Sequence, residues 1–309
     1  MSQIVTVSVC ITTFQHVDYI EECVLSVLRQ SADVKLEVLV GDDGSTDGAR
    51  DVIARLALTD PRVRVFEHPN RLGPCANLQH LVAAASGDYI AHLDGDDSWE
   101  TNKLARQLHC FDDPRVVAVY SNATVVTAQG AILGRFNDRP SGSLDLRELL
   151  RRGNFLNHSS LVYRADVRGM VLGLLGPFID YRLHIRLATQ GSLAYLDEAL
   201  VRYRWRSTTS MVRTMPSAVI SGHADALAEA LAAGAPAKLV RSAASRFWGK
   251  AVVLSVLNWE PVVVQAAVEP LLRLRHAGIT RSWLIWHAVL APLRALKSLG
   301  SRKRGVYFP

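Results

Sequence analysis

The chain has 309 residues, 49% of them hydrophobic, which suits one α/β core with an appendage and argues against disorder. Its net charge is +6, but residues 270–309 carry eight Lys or Arg and no acidic side chain, leaving about −2 for the rest. A basic end on a slightly acidic body argues against nucleic acid as the partner and for a local electrostatic contact.

Four cysteines (Cys10, Cys23, Cys75, Cys110) lie far apart with no C-x-x-C. They read as buried free thiols in a reducing compartment and give no metal framework. Met1 to Thr6 runs straight into a strand, without room for a signal peptide, so a cytoplasmic location is expected.

In chain order, strands are expected at Val5 to Ile11, Leu36 to Val40, Arg62 to Glu67, Tyr89 to Leu93 and Val116 to Tyr120. Helices are expected between them at Val17 to Gln30, Asp47 to Leu58 and Ala76 to Ala85, where apolar residues recur at three and four. Ser45 or Asp47 can cap the second helix. This βαβα order predicts a doubly wound, mostly parallel sheet. Residues 121–214 are less regular, with a strand-like Ala123 to Thr127, a turn at Gln129-Gly130, a helix at Leu144 to Arg151 and then Leu161 to Tyr163. From about Pro216 the composition turns to Ala, Leu and Val. Four helices are expected there, at Ser217 to Ala233, Ala237 to Trp259, Val262 to Ala277 and Arg281 to Leu299, punctuated by Gly234, Pro236, Pro261 and Gly278. No run of eighteen apolar residues occurs, so no membrane span is expected.

The chemistry concentrates where apolar runs meet acid. Tyr89-Ile90-Ala91 leads into His92-Leu93-Asp94-Gly95-Asp96-Asp97, three carboxylates around one glycine. Such crowding raises each carboxyl's pKa, and a hard divalent cation with oxygen ligands relieves it while also gripping a diphosphate. The pattern occurs twice, because Leu36 to Val40 leads into Gly41-Asp42-Asp43-Gly44-Ser45-Thr46-Asp47. Two apolar strands ending in acidic loops fit a polar ligand at the carboxyl ends of a parallel sheet.

These residues carry a resemblance. With Val7 to Phe14, Tyr19 to Gln30, Asn70-Arg71-Leu72-Gly73-Pro74 and Asn77, they appear in the order found in inverting, family-two glycosyltransferases with the GT-A fold. The resemblance covers roughly residues 4 to 210. It implies a GT-A domain over 1–214, with a nucleotide-sugar half at 1–120 and an acceptor half at 121–214, followed by a helical region at 215–309. It further implies transfer of a sugar from a nucleoside-diphosphate sugar, a UDP-sugar by preference, to a hydroxyl of a glycan or lipid-linked acceptor in cell-surface polysaccharide synthesis. Asp94 would contact the ribose, Asp96 would face Mg²⁺ or Mn²⁺ and Asp97 would assist it. Asp43 would accept from the base ring, with Thr13 and Phe14 lining the same pocket. Arg71 would lie over the base or reach a phosphate, or is an exposed loop arginine. Asp42 and Asp47 read better as loop and cap residues.

The resemblance also places the catalytic base. Ile179-Asp180-Tyr181-Arg182-Leu183-His184-Ile185-Arg186 matches a helix of the form E-D-Y-D-L-x-L-R, making Asp180 the carboxylate that deprotonates the acceptor, while Ile179 and Arg182 depart from the pattern. Asn157, His158 and His184 would face the acceptor. Tyr203 to Met211 resembles a Y-R-x-H-x-x-S segment with Arg206 at the histidine, and reads either as a flap whose Arg204 and Arg206 close on a diphosphate or as a basic surface loop. In the last helix Trp283, Trp286, Leu290 and Leu293 share one face. With Arg302-Lys303-Arg304 behind it, the stretch 281–304 reads either as an interfacial helix on anionic lipid at the inner face of the membrane or as a core helix with a solvated tail.

Other classes fit less well. A sugar-phosphate nucleotidyltransferase needs a Gly-rich loop with Arg and Lys after the first strand, and Thr12 to His16 supplies none. No G-x-G-x-x-G follows a strand, against a dehydrogenase. A degenerate binding or scaffold protein on the same fold stays open because of Ile179 and Arg182, with the intact Asp43, Asp94 and Asp96 against it.

Overall fold

A computed structural model describes residues 4–205, 216–258 and 261–299. The sheet has ten strands: β1 (Thr6–Thr13), β2 (Lys35–Asp42), β3 (Val63–Glu67), β4 (Tyr89–Asp94), β5 (Ser98–Trp99), β6 (Val116–Val126), β7 (Ile132–Arg135), β8 (Gly142–Leu144), β9 (Val162–Arg164) and β10 (Ser192–Arg204). Their spatial order is β3-β2-β1-β4-β9-β6-β10-β5, with β7 on β6 and β8 on β10. β1 to β4 form a parallel block, β6 and β10 are parallel, and the short antiparallel β9 joins the two blocks.

Side chains alternate across the sheet as the pleat requires. Val7, Val9, Ile11, Val38, Val40, Ala91 and Leu93 face one layer, made by α1 (Ile20–Leu28), α2 (Ala49–Thr59) and α4 (Lys103–Leu108). Cys10, Leu39, Ile90, Ala118 and Tyr120 face the other, made by α3 (Pro74–Ala84), α5 (Leu146–Arg152), α6 (Gly169–Leu172) and α7 (Asp180–Ala188). Burial on both faces is what turns these strands into continuous apolar runs. The four cysteines are free, with Cys110 half-buried and the rest buried.

Two expectations change in detail. Ala123 to Thr127 is not a separate strand but the continuation of β6. The thirteen-residue β10, next to it, was not anticipated. Asp197 and Glu198 interrupt β10, and its register shifts between Leu196 and Ala199, so no apolar run marks it. At the start of α2, Asp47 Oδ1 accepts from the Ala49 N–H at 3.0 Å, whereas Ser45 Oγ accepts from the Gln15 N–H.

The C-terminal helices are α8 (Pro216–Ala232), α9 (Ala237–Asn258), α10 (Pro261–Leu272) and α11 (Arg281–Leu299). They extend the second layer without a break, since Leu227, Val240, Trp248, Leu271 and Leu284 belong to the same apolar cluster as Leu81 and Tyr120. Both departures on α7 face them. Ile179 is buried, and a Cβ added at Gly222 of α8 would meet its Cγ1 at 3.0 Å. Arg182 and Arg186 both pair with Glu229 of α8, each at 2.7 Å. Burial works to raise the Glu229 carboxyl, but the two guanidiniums overcome it and hold the group below its usual range. No described helix is long and apolar enough to cross a membrane.

Glu229→Ala would strand two partly buried guanidiniums. It is predicted to lower stability by about 1–3 kcal/mol, read as a lower urea midpoint at unchanged slope. A midpoint equal to that of the wild type would show that the triad does not hold α7.

Candidate active site

β1, β2 and β4 end together, with Thr13 beside Asp42 and Thr12 beside Asp94 in register. A cavity of about 330 Å³ opens over these ends. Around it lie Thr13, Phe14, Asp43, Arg71, Asp94, Asp96, Asn157, His158, Asp180 and Arg204, ten of the twelve residues expected at the site.

One wall is made by loops that bond one another. Asp43 is buried, and its carboxylate accepts from the Leu72 N–H at 2.6 Å and the Gly73 N–H at 3.0 Å, fastening the β2–α2 loop to the β3–α3 loop. Arg71 lies 3.6 Å from Asp43 and places its guanidinium 3.9 Å from the centre of the Phe14 ring. Asp42 is outside the lining, and its Oδ2 accepts from the Gly44 and Ser45 N–H groups and from Arg50, a loop role. Gln15, at φ 59°, turns the chain out of β1, and its side chain clasps Thr46.

Across the cavity, β4 delivers the acidic turn. Gly95 is required there, because a Cβ would meet Thr13 at 2.8 Å and His16 Nδ1 at 3.0 Å. Asp94 and Asp96 line the cavity. Burial pushes the Asp94 carboxyl up to about 6, with the charges of Asp96 and Asp180 adding to the rise and His158 and the Thr12 hydroxyl opposing it. Asp97, expected to assist the cation, is buried outside the lining, and its oxygens accept from Ser159 Oγ at 2.6 Å and the Arg204 N–H at 2.8 Å, so it braces the turn.

Arg204, expected on the diphosphate, borders the cavity; its Nε donates to the Asp96 carbonyl and its Nη1 to the Thr127 and Ala128 carbonyls, with Glu22 beside Nη2 at 3.5 Å, so it ties the acidic turn to the end of β6. The flap expected from Arg206 onward lies outside the described residues. His184 does not line the cavity: it is 0% exposed, behind the cavity wall, and neither ring nitrogen has a hydrogen-bond partner among the described residues.

Asp180 opens α7 with its side chain 45% exposed and His158 Nδ1 at 3.7 Å. Sequence reasoning missed His16, which lines the cavity with Nε2 4.0 Å from Asp96. It also missed the apolar wall of Pro74, Cys75, Leu78, Leu156 and Phe178. The sole sequence signal for His16 was its place three residues past the end of β1.

Among the described residues no cluster of three or more His, Cys, Asp or Glu could hold a metal ion. Two crowded carboxylates on one cavity do fit a cation that takes one or two protein ligands and completes its shell with water and phosphate oxygens. The raised Asp94 value has a consequence for stability. The folded chain keeps a proton that the unfolded chain has released between roughly pH 4 and 6, so stability rises as pH falls through that window and the cost is complete above it. Without divalent cation, Asp94→Asn should melt roughly 2–6 °C above wild type at pH 7.5. The difference should shrink by pH 4.5. A pH-independent difference would contradict the crowding.

Relatives and solved structures now bear on the site. An uncharacterized protein of Mycobacterium tuberculosis is 30% identical over 206 residues, 64% of this chain and 58% of that protein. The chain thus spans less than two thirds of the length of the first curated relatives it matches. A Bacillus subtilis glycosyltransferase named for teichuronic acid biosynthesis is 28% identical over 199 residues, covering 64% of this chain and 78% of that one. The hyaluronan synthase of Pasteurella multocida is 29% identical over 202 residues, 64% of this chain and 20% of the synthase. In fold the chain is similar to S. aureus TarS 1-349 in complex with UDP-GlcNAc, at TM-score 0.67 and 16% identity over 95% of this chain and 92% of that chain. It is also similar to the mannosyltransferase PcManGT of Pyrobaculum calidifontis in complex with GDP-Man and Mn²⁺, at TM-score 0.55 and 19% identity over 98% and 89%. The fold is therefore the GT-A type, with helices following it. The model of glycosyl transferase family 2 matches residues 8–167, just over half of the chain, and the chain belongs to that family.

Proposed function

We propose that the chain is an inverting glycosyltransferase that moves a sugar from a UDP-sugar to a hydroxyl of a glycan or lipid-linked acceptor, in the synthesis of a cell-surface polysaccharide. The observation that carries this reading is the meeting of Phe14, Asp43, Arg71, Asp94, Asp96 and Asp180 on one cavity in a chain of this family. The relatives named for teichuronic acid and hyaluronan support the polysaccharide, and the UDP-GlcNAc in TarS supports the donor.

In this reading Phe14, Arg71 and Asp43 bind the base and Asp94 the ribose. Asp96, with Asp94 beside it, would hold Mg²⁺ or Mn²⁺, which supplies charge to the departing diphosphate. Asp180 takes the proton of the acceptor hydroxyl as that oxygen bonds to the anomeric carbon and the bond to the diphosphate breaks.

The test is a binding panel of UDP, GDP, dTDP and CDP sugars with and without Mn²⁺. UDP-sugars with Mn²⁺ should bind best, and Asp96→Ala should abolish the metal-linked part. Asp180→Asn should leave donor binding near wild type and lower kcat by roughly two to four orders of magnitude. UDP affinity indifferent to EDTA would sink the metal role. More than about a tenth of activity in the Asn variant would move the base elsewhere.

The same reading places the enzyme against the inner leaflet. On α11, Ile285, Trp286 and Val289 are exposed, Trp286 at 63%, while Trp283 packs inward against His287 and the core. In this reading the face that would meet lipid is the exposed one, one step round the helix from the expected one, and the 302–304 cluster lies outside the described residues. Ile285→Ser with Trp286→Ser should reduce co-sedimentation with phosphatidylglycerol vesicles, most clearly in high salt where apolar burial remains. Unchanged sedimentation would exclude this face.

A further inference from the structure

Beneath the cavity a string of polar rings crosses the apolar layer. Tyr163 Oη on β9 lies 3.2 Å from His92 Nε2 on β4, and His92 Nδ1 lies 3.3 Å from Nε2 of His158, which opens the helical turn His158–Ser160. His158 Nδ1 then faces Asp180 Oδ1 at 3.7 Å and has no hydrogen-bond partner among the described residues. His184, one turn after Asp180 on α7, lies under the His158 ring at 6.3 Å between centroids and 29° between planes, closing the site from below.

The protons on this string have one self-consistent direction. Burial pushes the Tyr163 phenol well up, so it keeps its proton, and its one hydrogen-bond partner among the described residues is His92. His92 is buried between Tyr163 and His158, with one of them at each of its ring nitrogens. If Tyr163 donates to His92 Nε2, the His92 ring proton sits on Nδ1 and donates to His158 Nε2, which puts the His158 proton on Nδ1, facing Asp180. The reverse order leaves a buried phenol O–H without an acceptor and aims a nitrogen lone pair at a carboxylate, both unfavourable.

We propose that His158 is a positioning residue for the candidate base, with Tyr163 and His92 fixing the tautomer that presents an N–H to the Asp180 carboxylate. The inference rests on reading Asp180 as the base. The 3.7 Å between the two groups is to close by a shift of the half-exposed Asp180 side chain toward His158. The carboxylate is then held with one oxygen occupied and the other turned to the acceptor hydroxyl, as partners behind a reacting group hold it elsewhere.

Two measurements test this. Long-range ¹H–¹⁵N spectra of histidine-labelled protein, with no substrate added, should show neutral His158 as the Nδ1–H tautomer, and His92→Phe should mix the tautomers. An Nε2–H tautomer in the wild type would overturn the string. In steady-state release of UDP from UDP-N-acetylglucosamine, His158→Ala should lower kcat roughly 10–100-fold with the donor KM within about two-fold. His158→Asn, whose amide N–H reaches the place of Nδ1, should keep most of the activity. Equal impairment of the Ala and Asn variants, or full kcat in His158→Ala, would overturn the positioning role. A wild type that never turns over UDP-N-acetylglucosamine would count against the proposed donor, while the tautomer spectra still decide the string.

Discussion

The carboxyl edge of the sheet depends on where one buried carboxylate, Asp97, finds its donors. Burial and the neighbouring charges of Asp96 and Asp94 push its carboxyl well up, and the Ser159 hydroxyl and the Arg204 N–H oppose that rise. Those two donors come from segments 62 and 107 residues away, so a single acceptor ties β4, the His158 turn and the end of β10 together. In a water-poor setting such bonds are strong when satisfied and costly when not. Asp94 and Asp96 reach the cavity because Asp97 does not.

The two sides of the cavity are built differently. The Asp43 side is loop held to loop: a carboxylate accepts two backbone N–H groups while Arg71 lies over Phe14 in contact with solvent. The Asp180 side is a helix start held from outside the sheet by α8, through Ile179 against Gly222 and Glu229 between two arginines. One side can adjust to a ligand through an exposed arginine. The other is fixed by packing.

The legible parts of the sequence were those where one local pattern decides the outcome. β1, β2 and β4 are buried on both faces over most of their length, so each appears as an apolar run, and the acidic loops that follow β2 and β4 carry their chemistry in consecutive residues. β10 was illegible because Asp197, Glu198 and a register shift break its run, and its neighbours β6 and β8 are distant in sequence. Asp97, Arg204 and His184 have suitable side chains at suitable positions, and only the three-dimensional partners reveal that the first two are occupied and the third is enclosed. His16 was missed because a single histidine after a strand carries no pattern. Ile179 and Arg182 looked like losses on α7, yet both side chains have partners on α8, which no reading of α7 by itself could supply.

The contact between α7 and α8 bears on how this protein can be divided. Cutting the chain near residue 214 would bare Ile179 and the apolar strip beneath the helices, and leave Arg182 and Arg186 without their shared carboxylate. The helical segment is thus part of the packing behind Asp180 and is not a free module. Any exchange that keeps the site intact has to carry positions 179, 182 and 186 along with the helices they fit.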